Sequence, residues 1–507
     1  MPLKKQFLWL FFIFLLTIPA ILPLLHKGFF VSDDGEWMII RLSAFFKTLH
    51  DGQIPVRFIG RLNHEYGYPV SNFLYPGFLY MGSLLHILGF GFVVVIKILF
   101  FLGLLSSSIF SYLWLRNFFS SATSVVGSMV YLYFPYHIFD AYVRGSLGEI
   151  LALGILPLLL YSIEKKYTVL ISLLYGLLII SHNTVALLAT PLIVIYILLG
   201  QKKQLISMVL GLGVSAFFWV PALYEKQYVK FDATRVANWS DYFLRNISLI
   251  GWISLLILVL GSMRLLYKKE KNIKLIFFFI LSCSSILFAT PMAYPLWKFF
   301  PLGSYIQFPW RFLSLTMIGI SFLASWLLSN MSKRRYIFTA SIFLLVIIYD
   351  VYPLLASVQY VDRGDAFYST NDSSTTVHDE YMPKWVSLAA TNRPQSVYEI
   401  KGEGMVTSAS VTDKKMNFTV ETANSLIFQV NKIYYPGWIV YVNDLLVKPD
   451  YSNPAGLMQV PLNRGNSRVF FSFTETPLRK TSNMVSVGIV VALFAFAGYQ
   501  KINKKNA

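Results

Sequence analysis

Two adjacent carboxylates, Asp33 and Asp34, stand in the stretch VSDDGEWMIIRLSAFF, directly after one of the most hydrophobic segments of the chain. Asp33 has the spacing of a helix N-cap, because Glu36 follows it at the N3 position of a capping box. A cap uses one carboxylate, so Asp34 is left at the boundary between water and lipid, beside the place where a lipid headgroup would lie. The dipole of the helix N-terminus favours the charged form of such an acid. The pair therefore predicts one structural carboxylate and one that can do chemistry.

The residues after the acid pair predict an amphipathic helix. Apolar side chains recur at helical spacing, namely Met38, Leu42, Phe45, Phe46 and Leu49. Polar residues such as Lys47 and His50 fall largely on another face. This pattern is typical of a helix that lies flat in the membrane interface.

Further polar side chains stand at predicted helix ends and outer turns. They are Arg57, Arg61, His64, Glu65, Arg144, Glu149, His182, Gln307 and Arg311. Each has a structural alternative, because Arg and aromatic residues often anchor helix ends at the membrane interface. Anchoring alone does not require polar groups from separate spans to converge on one leaflet. We therefore predict that this set binds a polar substrate.

The composition defines the class of protein that holds these residues. Of 507 residues, 56% are hydrophobic and only 13% are charged, too few to cover a soluble protein of this size. Apolar stretches of roughly 17–25 residues recur and match the thickness of a bilayer. The net charge of +18 does not indicate nucleic-acid binding, because the basic residues form short runs between apolar stretches. Such runs are typical of the cytoplasmic loops of a polytopic membrane protein.

The positive-inside rule predicts twelve spans with both termini in the cytoplasm. The predicted spans are 7–25, 92–115, 120–137, 148–163, a pair within 168–200 that is broken near SHNT, 204–222, 247–267, 275–290, 310–329, 336–353 and 482–499. The first is interpreted as a retained anchor rather than a cleaved signal peptide, since its apolar stretch is long and no A-x-A site follows.

Three regions follow from this topology. Residues 1–354 form the transmembrane domain with a large first external loop over 26–91, residues 355–480 form an extracytoplasmic β-rich domain, and residues 481–507 form the last span and a basic tail. In the second region MNFTVET, SLIFQV, WIVYVN and RVFFSF alternate apolar and polar residues, which predicts a small antiparallel β-sandwich. Trp438 lies near a turn there, where it suits either stacking on a sugar ring or packing in the sandwich core.

The order of these motifs resembles a known group of proteins. The acid pair, DGQIPVRF, GYPVSNFLYPGFLY, RGSLGE, SHN and QFPWRF are similar to motifs of bacterial membrane proteins described as 6-pyruvoyl-tetrahydropterin synthase-related. The later YYPGWIVYVNDLLVKP resembles the external C-terminal segment of YfhO-like membrane proteins. Both groups resemble the GT-C superfamily of membrane glycosyltransferases, and the resemblance covers nearly the whole chain. It implies a helical GT-C-like protein of the bacterial plasma membrane.

The GT-C resemblance also implies an activity. It implies transfer of a sugar from a polyprenyl-phosphate-linked donor to an extracytoplasmic acceptor, either a cell-wall polymer or a glycolipid. SDDG would correspond to the family's loop acid, acting as general base or metal contact. Arg144 and Arg311 would stabilise the departing lipid phosphate. A divalent cation, Mg²⁺ or Mn²⁺, is left open by the resemblance.

Other classes of function compete with this interpretation. The pterin-synthase label predicts a zinc site, but the seven histidines are scattered and form no H-x-H or H-x-x-x-H pair. A lipid or polysaccharide transporter would place ionisable groups near the bilayer midplane, where this chain has almost none. A non-catalytic scaffold that binds a cell-envelope glycan remains the other alternative.

Overall fold

The computed structural model describes residues 3–506. Its helices are α1 Leu3–Leu25, α2 Gly35–His50, α3 Gly77–Ile87, α4 Phe92–Leu115, α5 Ser121–Leu132, α6 Pro135–Phe139, α7 Leu147–Lys165, α8 Thr168–Ser181, α9 Asn183–Leu198, α10 Leu205–Val214, α11 Ala216–Glu225, α12 Trp252–Lys268, α13 Ile273–Ala289, α14 Tyr294–Phe299, α15 Gly303–Ile306, α16 Leu313–Leu328, α17 Lys333–Ala356, α18 Asp365–Thr370 and α19 Pro477–Asn506. Its strands are β1 Phe29–Phe30, β2 Tyr360–Val361, β3 Tyr398–Lys401, β4 Gly404–Val411, β5 Lys415–Thr422, β6 Leu426–Ile433, β7 Trp438–Val442, β8 Leu445–Val447, β9 Leu457–Leu462 and β10 Gly465–Phe473.

Each predicted span coincides with a helix or a pair of helices. Among residues 3–506, length and composition identify 6 helices able to cross a membrane, or up to 8 if each of two bent helix pairs is one span. The other apolar helices, including α5, α8, α9 and α12, are shorter. The predicted count of twelve spans is therefore not confirmed. The break predicted within 168–200 is present, since α8 ends at Ser181 and α9 begins at Asn183.

Helix α2 forms where the sequence predicts it, but only part of its polar face is open to water. Lys47 and His50 are exposed, whereas Arg41, Ser43 and Thr48 are buried together with the apolar residues. Ser43 Oγ donates to the Tyr368 carbonyl at 3.0 Å, and Thr48 Oγ1 donates to Asp413 Oδ2 at 2.7 Å. The helix is thus enclosed between the membrane bundle and the C-terminal region. Its sequence period shows the apolar face, whereas the partners of its polar face lie more than three hundred residues later in the chain.

The C-terminal region contains the predicted antiparallel β-sandwich. One sheet has the strand order β4-β5-β10-β7-β8 and the other has the order β3-β6-β9. Alternate residues point inward and pack into one apolar core, with Phe418, Phe428, Met458 and Phe471 among them. This burial of one face from each sheet is what the alternating sequence pattern predicts.

Trp438 belongs to that core. Its side chain is 4% exposed and packs against Phe58 of the first loop and Phe473 of β10, with ring centroids 5.8 and 5.4 Å away. The ring is therefore not accessible to a sugar, and the core-packing alternative describes its place in the fold.

A buried ion pair joins the sandwich to the membrane helices. Arg479, in the first turn of α19, donates from Nε and Nη2 to the two carboxylate oxygens of Glu225 at 2.7 and 2.6 Å. Glu225 Oε2 also accepts from the Tyr435 hydroxyl and from Asn72 Nδ2, each at 2.8 Å. These four residues, which we call the Glu225 latch, come from α11, α19, the sandwich and the first loop, and all are buried. Loss of one partner from such a buried carboxylate leaves its charge incompletely compensated, which is strongly destabilising.

Removal of one member of the latch should destabilise the whole protein. Arg479→Ala leaves the Glu225 carboxylate buried without its cation, which should lower the free energy of unfolding by about 3–5 kcal/mol. Thermal unfolding of the purified protein in lipid nanodiscs would measure the change. Lys27→Ala is the matched control, because it breaks an ion pair with Asp362 whose side chains are 85% and 57% exposed, and solvent screening should leave the stability nearly unchanged. Equal effects of the two substitutions would contradict a structural role for the latch.

Candidate functional site

The acid pair is held by the backbone that precedes α7. The Asp33 amide donates to the Val143 carbonyl at 3.0 Å, and the Asp34 amide donates to the Arg144 carbonyl at 2.8 Å. The chain then turns at Gly145, whose φ of +67° is left-handed. A Cβ at Gly145 would lie 2.7 Å from the Gly35 nitrogen. Both the left-handed backbone and the lack of space for a side chain therefore require a glycine here. Backbone hydrogen bonds alone therefore hold the acid pair against the segment RGSLGE.

The capping prediction is wrong in its assignment. Helix α2 begins at Gly35, and its N-cap is Asp34, whose side chain makes no capping hydrogen bond. Glu36 does not complete a capping box, because it accepts from Arg363 at 3.0 Å and from the Tyr368 hydroxyl at 2.9 Å. The Gly35 amide is satisfied instead by Ser32 Oγ at 3.3 Å. The Asp34 carboxylate thus stands at a helix N-terminus without being used as a cap.

Arg144 connects Asp34 to the interior of the bundle. Its Nη1 donates to Asp140 Oδ1 at 2.9 Å and to Glu149 Oε2 at 3.2 Å, while its Nη2 lies 3.8 Å from Asp34 Oδ2. The Arg144 side chain is 7% exposed and that of Asp34 is 33% exposed. Asp34 is therefore the member of the pair that meets both this cation and solvent.

Glu149 is the centre of the cluster. Its wholly buried carboxylate accepts from the Tyr136 hydroxyl, and its Oε2 lies 3.7 Å from Arg311 Nε and 3.8 Å from His182 Nε2. The cluster around Glu149 and Arg144 therefore contains side chains from α6, from α7, from the break before α9 and from the turn before α16. A buried carboxylate needs such partners to offset its lost hydration. Glu149 has no exposed surface, so we assign it a positioning role.

His182 occupies the break between α8 and α9 as an N-cap. Its Nδ1 accepts from the Val185 amide at 3.2 Å. A ring nitrogen that accepts a hydrogen bond is unprotonated, so in the neutral ring the proton lies on Nε2, which faces Glu149. The sequence signal SHN thus marks both the helix break and a member of the cluster.

Arg311, like Arg144, makes its hydrogen bonds through Nη1. Its Nη1 donates to the Ile306 carbonyl and to Gln307 Oε1, both at 2.8 Å. Its Nε has no hydrogen-bond partner among residues 3–506. The Phe308 ring contacts both guanidinium groups, with its centroid 5.2 Å from that of Arg311 and 5.5 Å from that of Arg144.

The structure brings together Asp34, Arg144, Glu149, His182, Gln307 and Arg311 from the predicted set. It places the four polar residues of the first loop elsewhere. Arg57 pairs with Glu475 beside the Glu225 latch, and Arg61 donates to the Tyr368 and Ser369 carbonyls of α18 as well as to Ser43 Oγ.

The other two polar residues of the first loop also face the C-terminal region. His64 lies 3.5 Å from Asp372, and Glu65 lies 3.9 Å from Arg393. All four therefore attach the loop to later parts of the chain, and we leave them out of the site.

Sequence reasoning missed Asp140, Tyr136 and Phe308. Asp140 carried a signal, because it precedes Arg144 by four residues and opposite charges at that spacing meet on one helical face. The other two are aromatic residues among many in the chain, and nothing in their spacing distinguishes them.

The donor groups of the cluster do not fit a resident metal ion. No group of three or more His, Cys, Asp or Glu side chains in the described part of the chain has the arrangement of a metal site. The acids of the cluster face arginines instead, and the guanidinium groups occupy the positions that a cation would take. We therefore derive no step through Mg²⁺, Mn²⁺ or zinc.

The surroundings of Asp33 make a prediction about pH. Partial burial raises the pKa of Asp33 above its usual value, the charge of Asp34 raises it further, and Arg144 opposes the shift. The folded protein therefore holds this proton more tightly than the unfolded chain does, and ionised Asp33 costs stability at neutral pH. Asp33→Asn removes that cost, so Tm at pH 7 should rise by about 1 °C. The gain should vanish below about pH 4, where unfolded Asp is also protonated.

Thermal unfolding of both proteins across that pH range would check this expectation. Glu421→Gln, at an exposed acid on β5, is the control and should leave Tm unchanged. A lower Tm for Asp33→Asn at pH 7 would show that the ionised carboxylate stabilises the fold.

The fold and site define a polytopic helical membrane protein with a β-sandwich near its C-terminus and a buried charge cluster behind a half-exposed acid. Residues 75–359 match a protein family described as "6-pyruvoyl-tetrahydropterin synthase related domain; membrane protein". The match covers more than half of the 507 residues, so the chain belongs to that family, as the sequence predicts. The matched region contains the whole cluster except the acid pair.

Solved structures show a more distant similarity. The oligosaccharyltransferase of Archaeoglobus fulgidus, in its apo form, is 14% identical, covers 76% of this chain and has a TM-score of 0.46. The chain spans 57% of the length of that protein. ArnT of Cupriavidus metallidurans, bound to undecaprenyl phosphate, is 14% identical with a TM-score of 0.44, over 73% of this chain and 68% of its own. No curated protein shows a significant match to the chain.

Proposed function

We propose that this protein is a membrane glycosyltransferase of the GT-C type. It transfers a sugar from a polyprenyl-phosphate-linked donor to a cell-wall polymer or glycolipid acceptor outside the bacterial plasma membrane. Both termini face the cytoplasm, and residues 355–480 face outward, in line with the distribution of basic runs. The site is the cluster around Asp34, Arg144 and Arg311.

One observation carries the proposal. Asp34 is a carboxylate at a helix N-terminus that makes no capping bond, is half-buried, and lies 3.8 Å from a guanidinium that two other acids hold in place. A structural acid would be buried and saturated, as Glu149 is. A surface carboxylate that interacts only with water would have no cation held beside it. This combination suits a general base whose carboxylate must be ionised and correctly oriented.

The chemistry follows from the positions of these groups. The acceptor hydroxyl attacks the anomeric carbon of the donor sugar, and Asp34 takes the hydroxyl proton as the new C–O bond forms. The bond between the anomeric carbon and the phosphate oxygen breaks, and the electron pair leaves with the lipid phosphate. Arg311 is held in the cluster through its Nη1, and its guanidinium charge can stabilise the anionic phosphate as it departs. Arg144, which Asp140 and Glu149 already engage, orients Asp34 and is a positioning residue.

The location also suits a donor that cannot leave the bilayer. Asp33 and Asp34 follow the end of α1, where the apolar side chains of Leu22, Leu25 and Val31 are exposed. An exposed apolar surface beside a polar cluster allows a lipid chain and its phosphate to be bound together.

Amide substitutions of the two acids should separate their roles. Asp34→Asn removes the base, so transfer should fall at least about 100-fold with little change in Tm. Asp33→Asn should keep nearly full activity and serves as the matched control. The measurement is transfer of radiolabel from a panel of polyprenyl-phosphate hexoses to cell-envelope glycan by purified protein. Full activity of Asp34→Asn would refute the base, and loss of activity only in Asp33→Asn would exchange the roles.

Replacement of Arg311 by Lys should slow transfer from the lipid-linked sugar donor although the positive charge is kept. A guanidinium can hold a phosphate through two parallel hydrogen bonds, whereas an ammonium acts as a point charge. Arg311→Lys should reduce kcat/KM for the lipid-linked donor by about tenfold or more. Arg393→Lys, at an exposed arginine paired with Asp372, should leave it unchanged. Wild-type kinetics in Arg311→Lys, with the fold verified by Tm, would make Arg311 an interface anchor.

A further inference from the structure

A hollow of about 480 Å³ lies on the outer face of the five-stranded sheet, away from the charge cluster. Strand pairing brings four of its residues into one row across the sheet. Ser410 of β4 faces Asn417 of β5, Asn417 faces Phe470 of β10, and Phe470 faces Tyr441 of β7. Directly opposed residues on one sheet face are close enough to act together on a ligand. The hollow is thus built by the register of the sheet.

Two aromatic rings form one end of this row. The rings of Tyr441 and Phe470 lie 6.2 Å apart at an interplanar angle of 28° and are half-buried. Their neighbours along the strands, Val440 and Phe471, point to the sandwich core and are fully buried. The sandwich core therefore does not need the outer pair, which presents an apolar strip to the hollow.

Polar side chains form the other part of the hollow. Ser408, Thr419 and Arg468 follow one another across β4, β5 and β10, so hydroxyl and guanidinium groups stand beside the row that contains Asn417. Arg468 has no ion pair within residues 3–506. Apart from Arg468, the charged residue that lines the hollow is Asp444. The two charges balance, so the hollow carries no net charge.

We propose that this hollow binds an uncharged oligosaccharide. A pyranose ring has an apolar C–H face that matches the strip of Tyr441 and Phe470. Its hydroxyl groups donate and accept hydrogen bonds, which suits the side chains of Asn417, Arg468 and Asp444. A polyanion such as a nucleic acid would instead require an excess of basic residues, and the hollow has none. The glycan site of the sandwich is therefore on its outer face and not at the buried Trp438.

Binding to the full-length protein in lipid nanodiscs tests the proposal without any donor, so the result does not depend on the proposed transfer reaction. Nanodiscs are used because a detergent with a sugar headgroup would compete. Calorimetric titration with neutral hexasaccharides of glucose, mannose and N-acetylglucosamine should show binding that is insensitive to salt. Tyr441→Ala and Phe470→Ala should each weaken it by about tenfold, the contribution of one ring contact. Tyr441→Phe should retain most of it.

Ile427→Ala is the matched control, because Ile427 is an exposed apolar residue on the outer face of the other sheet. It should bind like the wild-type protein, and unchanged Tm values would show that all variants fold. Absence of binding to every hexasaccharide overturns the proposal. Equal binding by the wild-type protein and both alanine variants overturns it as well. Salt-dependent binding of a short oligothymidylate in place of the sugars would assign the hollow to a polyanion.

Discussion

The buried carboxylate of Glu149 is the constraint on which the membrane part of this protein depends. A charge without access to water must be paired and hydrogen-bonded, or the cost of its lost hydration exceeds what packing can supply. Arg144, Arg311, His182 and Tyr136 meet this requirement from four separate places in the chain. Two helix ends, one helix break and one turn are thereby brought to a single point. The half-exposed Asp34 is held at the edge of this cluster through Arg144.

The Glu225 latch likewise brings separate parts of the chain together around a buried carboxylate, where the sandwich meets the membrane helices. It joins α11 and α19 to the sandwich and to the first loop through a carboxylate that accepts from Arg479, Tyr435 and Asn72. The same loop carries α2, which packs against the bundle and against the C-terminal region. The loop therefore connects the two buried charge centres. Asp34 is held by Arg144, and the helix that follows it is held by Tyr368 and Asp413 of the C-terminal region.

Much of this organisation follows from local sequence patterns. Apolar stretches of membrane length predicted the positions of α1, α4, α7, α16, α17 and α19, because helix burial in lipid depends on composition within one segment. Alternation predicted the sandwich for a similar reason, since each strand displays its own buried face. The break at His182 was visible as polar residues within an apolar run. Loose polar motifs also indicated six members of the charge cluster, because ionisable residues stand out against the apolar segments that they interrupt or adjoin.

Sequence by itself therefore determined the membrane class, the element order, the sandwich and the set of polar residues from which the site is drawn. Only the tertiary structure decided which members of that set meet. Arg57 and Arg61 are of the same residue type as Arg144, yet they bind Glu475 and the Tyr368 carbonyl instead. It also decided that Asp34, and not Asp33, is the N-cap of α2, and that Trp438 is buried. In each case the contacting residue lies far away in the chain. Pairing of buried charges and filling of a core depend on distances in space, and a local sequence pattern does not contain those distances.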